Sequence, residues 1–299
     1  MGEMKFKVET QYGFFEVNVN DRKEPDVQTR ENKVIGKIIT VGGKNKCVGI
    51  IARYDSDTAE MLNVKRTDGG CELNDKEISG MKTVGMVSLG FTFLRKYMPH
   101  IKYITLDDSS NIPCTLKNGD TVGVSLSQHQ LIFHQKTWYE RHFHAILINE
   151  DMRRLYEKYK ENFNNKPVDF DFKNSSLNEI LRPILHSSAS WKEFFDHLNT
   201  LDNKCEIIYL WYPTALNIIF NNISFSNQKW IINLSNIPDV EYNEKQGGGT
   251  GMRTRTRKVR KIKENHPNYD YMSLDDSLNY KFKLIRESPL TIETSFKPL

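Results

Sequence analysis

Membrane-length apolar runs, paired cysteine motifs and nucleotide-loop signatures are all missing from this 299-residue chain. No apolar stretch approaches the ~18 residues that a membrane-spanning helix needs. The start, MGEMKFKV, holds no apolar signal core. Phe6 stands where the myristoylation pattern requires Ser or Thr, so Gly2 is not read as a lipid site. The four cysteines, Cys47, Cys71, Cys114 and Cys205, lie far apart and form no CxxC pair. That excludes a ribbon-type zinc site and predicts reduced thiols in a cytosolic setting. Sequons at Asn174, Asn222 and Asn233 read as chance matches in an Asn-rich chain. No GKS or GKT and no GxGxxG occurs, which excludes a Walker loop and a dinucleotide fingerprint. Alanine is scarce, and no long repeat is visible.

What is present is enough for a packed body. The hydrophobic fraction is 38% and the charged fraction 27%, which argues against global disorder. The net charge of +4 misleads, because RTRTRKVRKIK (residues 253–263) carries seven basic residues and no acidic one. Without those seven the rest of the chain stands at about −3. Arg253, Arg255, Arg257, Lys258, Arg260, Lys261 and Lys263 alternate with Thr or aliphatic residues and leave no apolar stripe. Three readings stay open for this segment: a nucleic-acid contact weakened by salt, a nuclear import signal, or a solvated tail. Acidic protein partners fit all three, and a membrane does not.

Along the chain, residues 4–19 read as two strands about a turn at Tyr12–Gly13, from the period-two alternation of Met4, Phe6 and Val8. KVIGKIITVGG and KCVGIIARYD read as a hairpin, and AEMLNVKR as a further strand. TDGGCELNDKEISGM reads as loop, after which residues 82–101 predict a turn and an apolar helix ended by Pro99. YITLDD then predicts a strand ending in two carboxylates. Helices are expected from residue 126, at 150–163 with Asn149 as N-cap, and in SSLNEILRPILHS and SWKEFFDHLNTL capped by Ser175 and Ser190. KCEIIYLWYP and KWIINLS read as strands. The body is expected to end near residue 240. The resulting organisation is an α/β unit over 1–150, a helical and strand extension over 151–240, and a Gly linker with a flexible basic tail over 241–299.

The stretch preceding the apolar helix carries the chemistry. A helix start offers free N–H groups and partial positive charge, so small residues there admit a diphosphate. The element order, antiparallel strands followed by turn, helix, strand, helix and strand, resembles the GNAT (N-acetyltransferase) superfamily. Its loop of the form Q/R-x-x-G-x-G/A is matched by Lys82, Thr83, Val84, Gly85, Met86 and Val87, with Val87 replacing the second small residue. The resemblance implies a mixed, mostly antiparallel sheet flanked by helices and acetyl-CoA held by that loop. It also implies acyl transfer from the thioester to an amine. The family's Tyr-Glu-Lys-x-Gly-Phe pattern is echoed in WYERHF, one residue short and without the Gly, which implies Tyr139 as proton donor to the departing thiolate. Asp107 or Asp108 then serves as base or amine-binding group. His129, His134, His142 and His144 fall close together, but no acidic or thiol ligand adjoins them, and no metal is expected. The texture also resembles uncharacterised proteins of large DNA viruses, which implies host cytoplasm or a virion and assembly partners. The rival to the transferase is therefore a non-enzymatic viral structural or nucleic-acid-associated protein using the basic tail.

Overall fold

The computed structural model describes residues 3–245, except 26–31, 43–45, 65–71, 74–75, 78–80, 109–110, 117, 170–174, 202–203, 221–222, 224 and 226. The basic segment 253–263, with its three open readings of nucleic-acid contact, import signal or solvated tail, lies outside the described residues.

The chain opens with β1 (Met4–Thr10), β2 (Gly13–Pro25), β3 (Asn32–Gly42), β4 (Lys46–Arg53) and β5 (Thr58–Val64), each antiparallel to the one before. Alternation fixes their facing: Phe15, Val17 and Val19 of β2 are buried while the residues between them are half-exposed. The first turn is held by Thr10, whose hydroxyl accepts the Tyr12 N–H at 3.0 Å and donates to the Gly13 carbonyl at 3.2 Å. Gly13 has φ of 124°, open to glycine at no steric cost. A small hairpin, β6 (Glu72–Leu73) and β7 (Lys76–Glu77), occupies part of the stretch read as loop.

Next come α1 (Met81–Tyr97), β8 (Tyr103–Asp107), the hairpin β9 (Asn111–Thr115) and β10 (Thr121–Ser125), α2 (Leu126–His134), α3 (Trp138–Phe143) and β11 (Ile146–Leu147). The helices α4 (Glu150–Asn162), α5 (Ser175–Ser187), α6 (Trp191–Asn199) and α7 (Lys204–Phe220) follow, then β12 (Lys229–Asn233) and β13 (Asn243–Lys245). Asn149 caps α4 by accepting the Met152 N–H, and Ser190 caps α6 by accepting that of Glu193. KCEIIYLWYP, expected as a strand, is the first part of α7. Its sequence is apolar on nearly every side, so neither period stands out and strand is not separated from helix there, although Ile207, Ile208 and Trp211 are buried while Tyr209 and Leu210 are exposed.

The main sheet has nine strands in the order β11-β12-β8-β5-β4-β3-β2-β1-β13. It is antiparallel throughout except for β5 beside β8, the pair joined through α1. The molecule is thus mixed α/β, with a large, mostly antiparallel sheet flanked by helices. Its last strands come from the end of the described chain: β12 sits between β11 and β8, and β13 adds to the outer edge of β1. The described strands therefore reach Lys245, a little past the expected boundary near residue 240.

Helix α1 packs on β2, β3 and β4, and Val87, Leu89, Phe91, Phe93 and Leu94 are fully buried. Phe143 of α3 meets Phe91 edge-on at 5.4 Å, and Phe6 of β1 meets Phe93 at 5.2 Å, so α1 is held by a neighbouring helix as well as by the sheet. Each such buried aromatic or aliphatic side chain contributes about 1.5–3 kcal/mol relative to exposure. A second aromatic layer, Phe163, Trp191, Phe194, Phe195 and Trp211, joins α4, α6 and α7. Cys47 and Cys114, read from sequence as reduced thiols, are both disulfide-bonded, and no free cysteine occurs among the described residues. Spacing along the chain gave no sign of this, because bridging depends on Cα atoms coming within about 4.4–6.8 Å in the fold.

Candidate functional site

The parallel pair is where the sheet opens. β5 and β8 are in register only at Thr58↔Tyr103, Ala59↔Ile104 and Glu60↔Thr105. Beyond that β5 continues to Val64 and β8 to Asp107, each still paired on its other side. A bulge accompanies the parting. Ile50 opposes Met61 and Gly49 opposes Asn63, leaving Leu62 as the extra residue. A bulge bends its strand and increases local twist, here on the strand that leaves β8. Leu62 is 51% exposed, an apolar side chain at the point of divergence. Because α1 returns antiparallel to β5, its N-terminus lies toward the edge of the sheet where β5 and β8 separate.

The structure places the expected cofactor loop differently from the sequence reading. Lys82, Thr83, Val84, Gly85, Met86 and Val87 are not a loop ahead of the helix; they form the opening turns of α1 itself. Gly85 is the fifth helical residue, so its amide and those of Met86 and Val87 are used inside the helix, and only the first four N–H groups lack an intrahelical partner. Val84, Met86 and Val87 point into the core. Nor does Gly85 leave room for a ligand. A Cβ built there would stand 2.3 Å from the Tyr12 ring, so the close approach that glycine permits is made by the chain's own β1–β2 turn. The amides of α1 without an intrahelical partner are therefore those of its first turn, Met81–Val84, and not that of Gly85.

Asp107 is exposed at the end of β8, with Lys229 directly across on β12. Asp108, the alternative considered with it, is 1% exposed. Strand alternation turns it to the same side as Ile104 and Leu106, and its carbonyl accepts the Asn227 N–H at 2.9 Å. Tyr139 does not reach the surface. It is 5% exposed in α3 and meets Trp138 edge-on at 5.0 Å.

Its neighbour Glu140 has a role the sequence did not disclose. Glu140 accepts from the Tyr156 hydroxyl and, at 3.0 Å, from Lys160 Nζ, while the Thr137 N–H donates to Tyr156 Oη at 3.1 Å. Burial, reinforced by the Glu140 charge, drives the Tyr156 hydroxyl far above its ordinary range. This network clamps α4 to α3. An i, i+4 pattern, Tyr156 and Lys160, was its only signal in the sequence.

The four histidines do not converge on a metal: no group of three His, Cys, Asp or Glu able to hold one occurs among the described residues. His129 is buried against Phe133, and desolvation lowers its pKa to about 3. A depression of about 500 Å3 lined by Arg95, Lys102, Tyr103 and Asn233 lies at the opposite end of β8 from Asp107. Among the described residues no helix is long and apolar enough to cross a membrane. Compared with protein-family models, with curated proteins and with solved structures, the chain matches none.

Proposed function

We propose that the chain is a GNAT-like acyltransferase body, one that takes an acyl-CoA thioester between β5 and β8 and offers it to an amine. The observation that carries this reading is the one parallel pair among the described residues, joined through α1 and laddered over three residue pairs before it parts at the Leu62 bulge. A split of this kind leaves backbone groups unpaired along a slot, ready for an extended arm bearing amides. Bound there, CoA supplies an activated acyl carbonyl. The first-turn N–H groups of Lys82, Thr83 and Val84 are the chain's donors for its diphosphate. Asp107, exposed at the strand end, is the carboxylate that receives an amine and takes its proton as the new C–N bond forms. The buried Tyr139 is poorly placed to return a proton to the thiolate. That favours a member in which binding is retained and transfer is slow, the degenerate form of the family.

Thermal shift with acetyl-CoA tests the reading. At 100 times its Kd the ligand adds about 2.7 kcal/mol of stability, and Leu62→Arg, which places a charged side chain at the split, is expected to abolish the shift. Absence of any shift at millimolar acetyl-CoA overturns the proposal. The non-enzymatic reading, nucleic-acid association through residues 253–263, is then what remains.

A further inference from the structure

The last turns of α2 and α3 bring together polar groups that neither the sheet nor the split employs. Gln130 and His134 stand one turn apart on α2 and share a face. Arg141 and His142 lie in the final turn of α3. Arg141 Nη1 donates to Gln130 Oε1 at 3.0 Å, which draws the guanidinium across to the α2 face. The His142 ring rests on Trp138 with centroids 5.2 Å apart. From α6, Asp196 faces His134, but its carboxylate already accepts from Lys192 at 2.7 Å.

Arg141 is unusual in its company. Arg22 and Arg95, also half-buried, hold Glu24 and Asp239 respectively. Arg141 forms no ion pair among the described residues, and burial alone pushes its pKa down. A guanidinium carries five N–H donors in a planar fork, and Gln130 takes one of them. Leaving a half-buried fork without an anion is costly.

We infer that this cluster is a binding site for a tetrahedral oxyanion, phosphate or a phosphomonoester, gripped by the Arg141 fork and the rings of His134 and His142. Arginine matches such an anion with two parallel hydrogen bonds. Burial, with the Arg141 charge beside them, lowers both histidines to about 4, so the rings are neutral in the free protein. A bound dianion offsets that charge and draws protons onto the rings. Binding therefore takes up protons, and affinity for an anion whose own charge stays constant rises as the solution is acidified from about pH 8 to about pH 6.

The experiment is calorimetric titration of the full chain with sodium phosphate and with sodium sulfate, in two buffers of different ionisation heat. Sulfate stays dianionic throughout, so protons taken up with it are taken by the protein. The expected result is binding of both anions with proton uptake, weakened about tenfold or more in Arg141→Gln. Gln130→Glu, which sets a carboxylate against the guanidinium and keeps it anchored, is expected to abolish binding with the melting temperature retained. Cations of residues 253–263 are common to all three proteins, so the differences report the cluster. No heat at about 10 mM of either anion, or equal affinity in Arg141→Gln and the parent, overturns the inference.

Discussion

Gly85 shows how one residue admits two explanations that a single substitution separates. Inside a helix, Gly→Ala gains up to about 1 kcal/mol from propensity. Here the added Cβ meets the Tyr12 ring at 2.3 Å, so Gly85→Ala is expected to lower the melting temperature. In a Tyr12→Gly background, which also removes the Tyr12 Cβ that would stand 2.7 Å from the added methyl, the same change is expected to raise it. If Gly85 served only to admit a ligand, stability would rise in both backgrounds and acetyl-CoA binding alone would fall. The residue was legible in the sequence as special; the partner that makes it so was not, because Tyr12 lies more than 70 positions away in the chain.

Among the elements, β13 is held by more than its ladder to β1. Ahead of it Arg95 binds Asp239 and the Leu234 carbonyl, and the Val240 N–H donates to Thr92 Oγ1 at 2.9 Å. Lys96 Nζ lies 5.3–5.6 Å from the rings of Phe6, Phe93, Tyr97 and Tyr242. It donates to Tyr242 Oη and to Glu244 Oε1, both at 3.0 Å. Burial works against that ammonium, but the Tyr242 and Glu244 hydrogen bonds outweigh it, and its pKa is pushed up to about 12. Lys96→Ala is expected to cost about 2 kcal/mol through lost cation–π and charged hydrogen bonds. Amide exchange should quicken across residues 240–245 and stay slow in β3 and β4. Unchanged exchange at 240–245 would show that strand pairing alone retains the segment. Helices α4 and α6 were readable from their stripes and caps, since both signals are local. Helix α7 was not, since its run is apolar on too many sides for either period to stand out.

For the whole molecule, acid is the informative stress. His129, His134 and His142 are lowered to about 3, 4 and 4, chiefly by desolvation, from an ordinary value near 6.5. Unfolded, each binds a proton below about pH 6.5; folded, each resists until far lower. Stability is therefore full above about pH 6.5 and is lost as pH falls from there toward 3–4. His129 alone contributes a loss of about 2 kcal/mol between pH 6.5 and 5. Urea titrations at these two pH values are the check. A midpoint that does not fall would remove the histidines as the cause, and one that falls as far in His129→Phe would remove His129. The buried Lys37–Asp21 pair, 8% exposed on each side, does not contribute in this window. Its lysine is raised by the Asp21 hydrogen bond and its aspartate lowered by the same bond, so their titrations fall above and below it.

By itself the sequence determined the elements whose signals are local. The alternation of β1 to β4, the carboxylate-ended strand β8, the capped helices α4 and α6 and the uneven charge all follow from neighbours a few residues apart. The tertiary structure decided everything that depends on distant segments meeting. It set Tyr12 on Gly85, the disulfide state of Cys47 and Cys114, the insertion of β12 between β11 and β8, the parting of β5 from β8, and the gathering of Arg141 with His134. Such meetings are fixed by packing and loop closure across the whole chain, and no window of adjacent residues encodes them.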